Sequence, residues 1–263
     1  MTTVEMKIKI PKVNGGRLIS AEMRDGYLLT KFEIGENLTY SISESELECR
    51  IDPNTFEGEW LEHKPTTKRQ KEMLALYQDA KAKDRLHAFT CMTIDASVEN
   101  EKVLYKKGLE PETSLSILQW ENLFKACYPS RNSRLMTRTE YVCRNLFLIR
   151  RMVEVGGYKI EDAWESVCDD SKRIGNYCNS EKRENKSCYE PTGSREVCGF
   201  YDLANAYKLL AKDPWEKNDG YLLASGGSYY SYSDHCPVAA MKNLDIEEYD
   251  DELDGCVGML ALD

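Results

Sequence analysis

The sequence predicts an α+β protein in which a strand-rich beginning is followed by helices and further short strands. Three patterns carry this prediction. Residues 1–60 contain short alternating segments separated by turn residues, and residues 67–86 are rich in strong helix formers. Thr137 then opens a helix-capping signature. With 263 residues the chain can bury a sizeable core in one or two domains.

The strand-rich part begins with an alternating segment, VEMKIKI, at residues 4–10. A turn at Asn14-Gly15-Gly16 follows. We expect three more short strands, at residues 17–22, 26–34 and 38–42, because each is apolar or alternating and bounded by turn formers.

The next two helices are predicted from their composition and spacing. Residues 67–86 place an apolar set on one face, formed by Met73, Leu74, Tyr77 and Ala80. A strand is expected at residues 87–95, and a second helix at residues 114–127, ending before Pro129.

The helix that follows has a sequence-level start signal. Thr137 and Glu140 form a T-x-x-E capping box, so a helix is expected from there to Gly156-Gly157. Arg134 is expected beside the carboxylate of Glu140. This signature is structural and indicates no catalytic role.

The C-terminal third alternates between polar loops and short apolar runs. Residues 169–198 are polar and turn-rich, which predicts a long surface insertion. The apolar run at residues 221–224 predicts a strand that ends before Gly226-Gly227, and residues 257–262 predict a closing strand. Seven of the eleven residues at 245–255 are acidic. A solvated loop is favoured there over a metal site, because EF-hand spacing is absent.

Composition limits the partners. A net charge of −10 argues against nucleic acid, which requires clustered Lys and Arg. No run approaches the ~20 apolar residues of a membrane span, and the first residues lack the apolar core of a secretory signal. We therefore expect a soluble protein without membrane insertion, located at a virion or cell surface if it is later assembled there.

The ten cysteines do not have the spacing of a metal site. Cys168, Cys178, Cys188 and Cys198 are ten residues apart, whereas structural zinc sites use close pairs. Reduced thiols are favoured, several of them buried. Pairing within residues 168–198 stays open if the protein is exported.

Catalytic motifs are missing from the sequence. It contains no G-x-S-x-G, G-x-G-x-x-G, P-loop or H-E-x-x-H pattern. His63, His87 and His235 are the only histidines, and no two of them have metal-ligand spacing. His235 is interpreted as a surface loop residue, and we expect neither catalysis nor a cofactor.

Several segments together resemble a known family. The chain contains, in order, SLSILQWENLFKACYPSR (114–131), RLMTRTEY (134–141), GFYDLANAYKLL (199–210), GGSYYSYSDHC (226–236) and GCVGMLALD (255–263). This order is similar to that of the C-type lectin fold of the formylglycine-generating-enzyme type. The resemblance implies such a domain over residues 95–263. Residues 1–94, a β-rich part with one helix, are either an added subdomain or part of the same core.

One alternative function is the copper oxidase chemistry of the formylglycine-generating enzymes. In that family a pair of cysteines just after the GGS segment binds copper. Aligned on Gly226-Gly227-Ser228, the second cysteine falls on Cys236 and the first on Ser231. A hydroxyl cannot replace a thiolate toward Cu(I), so the resemblance argues against this enzyme activity.

The same fold is used by the variable proteins of diversity-generating retroelements. In those proteins adenine mutagenesis converts AAY codons to NNY codons, which never encode Lys, Glu, Met, Gln or Trp. None of these five residues occurs at positions 221–240. The resemblance implies a ligand-binding protein with a variable region at about residues 215–256. A non-catalytic structural or virion component is the remaining alternative.

The predicted ligand-binding surface is rich in Tyr and Ser, the bias of antibody paratopes. Its residues are Tyr229, Tyr230, Ser231, Tyr232, Ser233, Asp234 and His235, with Asn243, Asp245, Tyr249 and Asp250 on a rim formed by the loop before the last strand. The expected partner is a protein or cell-surface ligand. Burial of alternate rings as ordinary strand residues is the competing interpretation.

Overall fold

The computed structural model describes most of the chain. The described ranges are residues 16–24, 27–34, 38–42, 47–129, 131–180, 189–216, 221–245 and 255–263. The predicted strand at residues 4–10 and its following turn at 14–15 lie outside these ranges. Within them, none of the helices combines the length and the apolar character needed to span a bilayer.

The described elements confirm an α+β protein. The helices are α1 (Lys68–Ala82), α2 (Ile117–Cys127), α3 (Arg138–Glu154) and α4 (Ile160–Cys168). The strands up to α2 are β1 (Gly16–Arg24), β2 (Tyr27–Ile34), β3 (Leu38–Ile42), β4 (Leu47–Ile51), β5 (Phe89–Met92), β6 (Ser97–Glu99) and β7 (Lys102–Leu104). Those that follow are β8 (Ser133–Leu135), β9 (Glu196–Val197), β10 (Phe200–Tyr201), β11 (Tyr207–Leu210), β12 (Tyr221–Ser225), β13 (Met241–Asp245), β14 (Cys256–Gly258) and β15 (Leu260–Leu262).

Two larger sheets organise these strands. A seven-stranded antiparallel sheet has the order β1-β2-β3-β4-β5-β15-β8. A four-stranded sheet has the order β13-β12-β11-β14, in which β11 and β14 are parallel. The larger sheet contains strands from both sides of the predicted boundary at residue 95.

The closing strand was predicted as one piece, but the structure divides it between the two sheets. β14 pairs with β11 in the smaller sheet, and β15 lies between β5 and β8 in the larger one. The change occurs at Met259, whose amide donates to the Leu209 carbonyl at 3.3 Å and whose carbonyl accepts from the Met136 amide at 2.7 Å. The last part of the predicted closing strand lies beside β5, where Ala261 pairs with Cys91.

The predicted helices begin at capping side chains. Thr137 and Glu140 form the complete capping box of α3. α1 begins after Thr67, whose hydroxyl accepts from the Gln70 amide, and its predicted apolar face is buried. α2 begins later than expected, because Ser116 makes a second capping box with Gln119.

The prediction of a surface insertion at residues 169–198 is wrong for the first part of this segment. Ile174 and Tyr177 are fully buried in the core that also contains α3 and α4. The Tyr177 hydroxyl donates to the Cys236 carbonyl at 2.7 Å. Composition suggested a solvated loop, but a few apolar side chains and many paired polar groups suffice to bury the segment.

A buried charge cluster links the two sheets. The Lys208 ammonium, on β11, bonds to the Asp95 carboxylate after β5 and donates to the Asp202 carbonyl at 3.0 Å. The Asp202 carboxylate accepts from the amides of Asp95 and Gly193. Burial, and next the negative charge of Asp95, raise the pKa of Asp202 to about 7.

This raised pKa gives a stability dependence with a definite sign. In the unfolded chain Asp202 ionises near 3.8, so between about pH 4 and pH 7 the folded protein binds the extra proton. The stabilisation that proton binding by Asp202 provides is fully present below pH 4 and is lost as the pH rises to about 7. We expect the free energy of unfolding of the wild type, minus that of Asp202→Asn, to fall over this interval in urea titrations. A difference that stays constant would contradict the raised pKa.

Candidate functional site

The predicted binding residues lie in the loop that joins β12 to β13, here called the 226–240 loop. Its ends are closed by hydrogen bonds: the Gly226 amide donates to the Ala240 carbonyl at 2.7 Å, and the Ser225 hydroxyl donates to the same oxygen at 2.6 Å. Gly226 has φ +70°, a conformation that favours glycine. The strand thus ends where the sequence predicted.

Gly227 is required by close packing. A Cβ atom at this position would lie 2.6 Å from the Cys236 carbonyl oxygen and 2.6 Å from the ring of Tyr177. The two ends of the loop therefore approach each other across a residue that has no side chain. Together with the closed base, this contact fixes the path of the loop.

Three serines of the loop are buried, and two of them, Ser231 and Ser233, anchor it through their hydroxyls. Ser228, Ser231 and Ser233 are buried. The Ser231 hydroxyl lies 3.0 Å from the hydroxyl of Tyr207 on β11 and accepts from the Ser228 amide at 3.2 Å. Ser231 also uses its carbonyl, which accepts from the Cys178 amide at 3.1 Å. The hydroxyls that looked like contact groups hold the backbone instead.

Ser233 has the densest set of partners. Its hydroxyl donates to the Asp170 carboxylate and accepts from the Asn179 side-chain amide at 3.1 Å. The Asn179 side-chain oxygen in turn accepts from the Ser233 backbone amide at 3.2 Å. The segment at residues 170–179 is therefore the support on which the 226–240 loop rests.

The side chains between the serines point outward. Tyr230 and Tyr232 keep 54% and 56% of their surface exposed, and Asp234 and His235 are also exposed. Tyr229 is half-buried. Outward and inward side chains thus alternate from Tyr230 to Asp234, which separates the groups available to a ligand from those that hold the backbone.

A cluster of tyrosine rings continues the surface from Tyr230. The Tyr229 and Tyr230 rings meet edge to face at 5.2 Å, Tyr229 meets Tyr189 at 4.7 Å, and Tyr230 meets Tyr207 at 5.9 Å. Edge-to-face contacts hold rings at defined angles. Burial raises the pKa of Tyr230 to about 12, so this hydroxyl stays protonated and can donate.

An arginine from α1 holds the other end of the exposed segment. The Arg69 guanidinium donates to the carbonyls of Asp234 at 2.8 Å and His235 at 3.0 Å. It fixes two consecutive peptide units and leaves both side chains outward. No sequence pattern points to Arg69, Asp170, Asn179, Tyr189 or Tyr207 as part of this site, because each is distant from the loop in sequence.

Several predicted contact residues require correction. Ser231 and Ser233 are buried anchors and present no hydroxyl to a ligand. Asn243 and Asp245 lie in the strand β13, where a loop was expected, because residues 241–245 pair with β12. Tyr249 and Asp250 lie outside the described residues.

Among the predicted residues whose side chains are described, only His235 lines the groove of about 770 Å³ between α1 and the end of the 226–240 loop. Arg69, Leu76, Arg138 and Met241 also line this groove. The exposed side chains of Tyr230, Tyr232 and Asp234 lie outside this groove.

The structure also shows where Ser231 and Cys236 lie, the two residues aligned with the copper-binding cysteines of the formylglycine-generating enzymes. Cys236 is buried, and the Ser231 hydroxyl is engaged by Tyr207. A Cu(I) site needs soft thiolate or thioether ligands. The absence of copper binding at Cys236 stays a prediction, which follows from the hydroxyl at position 231.

A separate group of side chains that could bind a metal lies around His87. The sequence shows no metal-ligand spacing between His87 and another histidine. His87, Glu140 and Asp263 place their ligand atoms within 4.8 Å of one another. Arg134, however, donates to both Glu140 oxygens at 2.6 and 2.7 Å and to Asp263 at 2.9 Å. A cation would have to displace this guanidinium, so the group is best described as an ion-pair network.

The pKa values of the network agree with this description. Burial acts to raise the pKa of Glu140, but hydrogen bonds from His87 and Arg134 outweigh burial and lower it to about 2. The hydrogen bond with Glu140 raises the pKa of His87. The predicted position of Arg134 beside Glu140 is confirmed, and its role is to fix the start of α3.

Comparison with known proteins assigns no family. No protein-family model matches the chain, and no curated protein matches it. A solved structure titled "Crystal Structure of CarF" is similar with a TM-score of 0.44 and 12% sequence identity, covering 88% of this chain and 87% of that one. This degree of likeness does not assign the chain to a fold family.

Substitution of a buried serine of the loop should lower the free energy of unfolding more than substitution of an exposed neighbour. Ser233→Ala removes the hydroxyl partner of Asp170 and Asn179, and losing such buried hydrogen bonds typically costs about 1–3 kcal/mol. Tyr232→Ala, the matched exposed neighbour, should change the free energy of unfolding by no more than about 0.5 kcal/mol. Urea unfolding of both variants measures this contrast. Equal costs would show that the exposed ring is structural.

Proposed function

We propose that this protein recognises a protein or cell-surface ligand through the 226–240 loop, displayed on a C-type lectin fold of the formylglycine-generating-enzyme type. The outward side chains would be diversified by a retroelement. One observation carries the proposal: buried, hydrogen-bonded serines alternate with exposed Tyr, Asp and His side chains. Such a loop can change its contact groups while its backbone stays in place.

Three features support the proposed fold. The segments RLMTRTEY, GFYDLANA, GGSY and GCVGMLALD occur in the family's order, and the first supplies the complete capping box of α3. The closing strand β15 lies in the sheet between β5 and β8. Gly226 and Gly227 allow the tight turn and close packing at the start of the loop.

The exposed Tyr side chains of the 226–240 loop support the proposal of ligand recognition. Tyr side chains offer large amphipathic contacts at low entropic cost, and the two most exposed ones flank a buried anchor. Binding hot spots are enriched in Tyr. The edge-to-face packing of Tyr229 and Tyr230 orders part of the surface before a ligand arrives. A preordered surface loses less entropy on binding.

Exposure explains how such a surface could tolerate diversification. Substitutions at exposed positions usually change the free energy of unfolding by no more than about 0.5 kcal/mol. The side chains of Tyr230, Tyr232, Asp234 and His235 are exposed, whereas the serines between them are buried. We therefore propose that variation concentrates at the exposed positions, and that the protein performs no covalent chemistry.

Sequencing the DNA around the coding region tests the retroelement part of the proposal. We expect a near-copy of the 3′ coding end, with adenines at the variable codons, beside a reverse-transcriptase gene. Mismatches between the two copies should fall at codons for the exposed residues and spare those for Ser228, Ser231 and Ser233. A locus with neither element would contradict diversification and leave recognition to be tested separately.

Two displayed libraries of the full chain test recognition directly. One randomises positions 230, 232, 234 and 235 with NNY codons, and the matched control randomises 228, 231 and 233. We expect most members of the first library to resist protease like the parent and to yield binders to a test protein such as lysozyme. The control library should lose protease resistance, because its positions are buried. Equal loss in both libraries would overturn the proposal.

A further inference from the structure

A second cavity, away from the 226–240 loop, has the features of a small-molecule site. It measures about 360 Å³ and lies between the segment that joins α1 to β5, the start of α3, and the turn at residues 213–216. Its apolar lining includes Leu86, Phe89, Cys143, Pro214 and Trp215. Ligand sites are typically concave and largely apolar, with a few polar groups that fix orientation.

The walls of this cavity are held by specific bonds. The Arg85 amide donates to the Ala80 carbonyl at 2.9 Å, which fixes the chain as it leaves α1. The Asp213 carboxylate accepts from the Thr139 amide at 3.1 Å and from its hydroxyl at 2.7 Å, which fixes the turn that carries Trp215. The cavity is therefore preformed, and little ordering would be needed to fill it.

Among the described residues, Arg85 is the arginine of the lining that makes no ion pair, whereas Arg134 binds both carboxylates of the lining. Both Glu140 oxygens are engaged by Arg134, and the Asp263 oxygens are engaged by Arg134 and Asn132. The Cζ atom of Arg85 lies over the Trp215 ring, 4.7 Å from its centroid, and among the described residues the guanidinium has no hydrogen-bond acceptor. Stacking occupies the face of a guanidinium and leaves the N–H groups at its edge free.

We propose that this cavity binds a small monocarboxylate with an aromatic or branched apolar body. The carboxylate would accept hydrogen bonds from the edge of Arg85, and the apolar body would lie against Leu86, Phe89 and Trp215. A monoanion needs only the one guanidinium that has no hydrogen-bond acceptor among the described residues. A dianion such as a phosphate monoester is disfavoured because Glu140 and Asp263 are close by. The proposal is independent of recognition by the 226–240 loop.

Phenylacetate is a suitable probe, with phenylacetamide and phenethylamine as uncharged and cationic analogues of similar shape. Ligand-observed NMR on the full chain should show saturable binding of phenylacetate at millimolar concentrations. The amide and the amine should bind at least about tenfold more weakly, since losing a charge-assisted hydrogen bond costs about that factor. No saturable binding of phenylacetate, or equal binding of the amide, overturns the proposal.

Variants locate the site. Arg85→Met should abolish the preference for the carboxylate, and Trp215→Ala should weaken phenylacetate at least about tenfold, because it removes the ring that orients Arg85. Arg150→Met, on the opposite end of α3 and paired with Glu154, is the matched control and should bind like the wild type. If Arg85→Met fails to fold, Arg85→Gln takes its place. Unchanged binding in a folded Arg85 variant overturns the assignment.

Discussion

The crossing of the chain at Met259 is the constraint on which the other features depend. On either side of this residue the last strands belong to different sheets, and its two backbone groups bond to Leu209 and Met136. The neighbouring Gly258 leaves no room for a side chain, because a Cβ there would lie 2.5 Å from the Trp120 ring. One short segment therefore sets the relative position of both sheets and of the start of α3.

The candidate recognition loop depends on this crossing through β11. That strand pairs with β14 on one side and β12 on the other, and the loop follows β12. Tyr207 and Lys208 on β11 then reach in opposite directions, toward Ser231 and toward Asp95. The loop is therefore connected to the buried charge cluster through one strand. A buried pair of this kind requires both partners, because removing either leaves an uncompensated charge.

The two candidate sites differ in how they obtain specificity. In the 226–240 loop, exposed side chains alternate with buried serines that make the hydrogen bonds, so contact groups can change without altering the support. In the cavity near Arg85, the walls are preformed and Arg85 makes no ion pair among the described residues. The Arg134–Glu140 network lies at the cavity wall, where Arg134 anchors the start of α3 and binds both nearby carboxylates. Each site thus separates the groups that hold its shape from those available to a ligand.

Local patterns in the sequence determined the local structure. The capping box at Thr137, the buried face of α1 and the end of β12 before Gly226 follow from interactions between residues a few positions apart. Tertiary structure decided which serines are anchors, how the closing strand divides, and that Ser171 and residues 174–177 are buried. It also brought Arg69 to the loop and Arg85 to Trp215. These outcomes depend on pairing and packing between distant segments, which a pattern in one stretch of sequence does not encode.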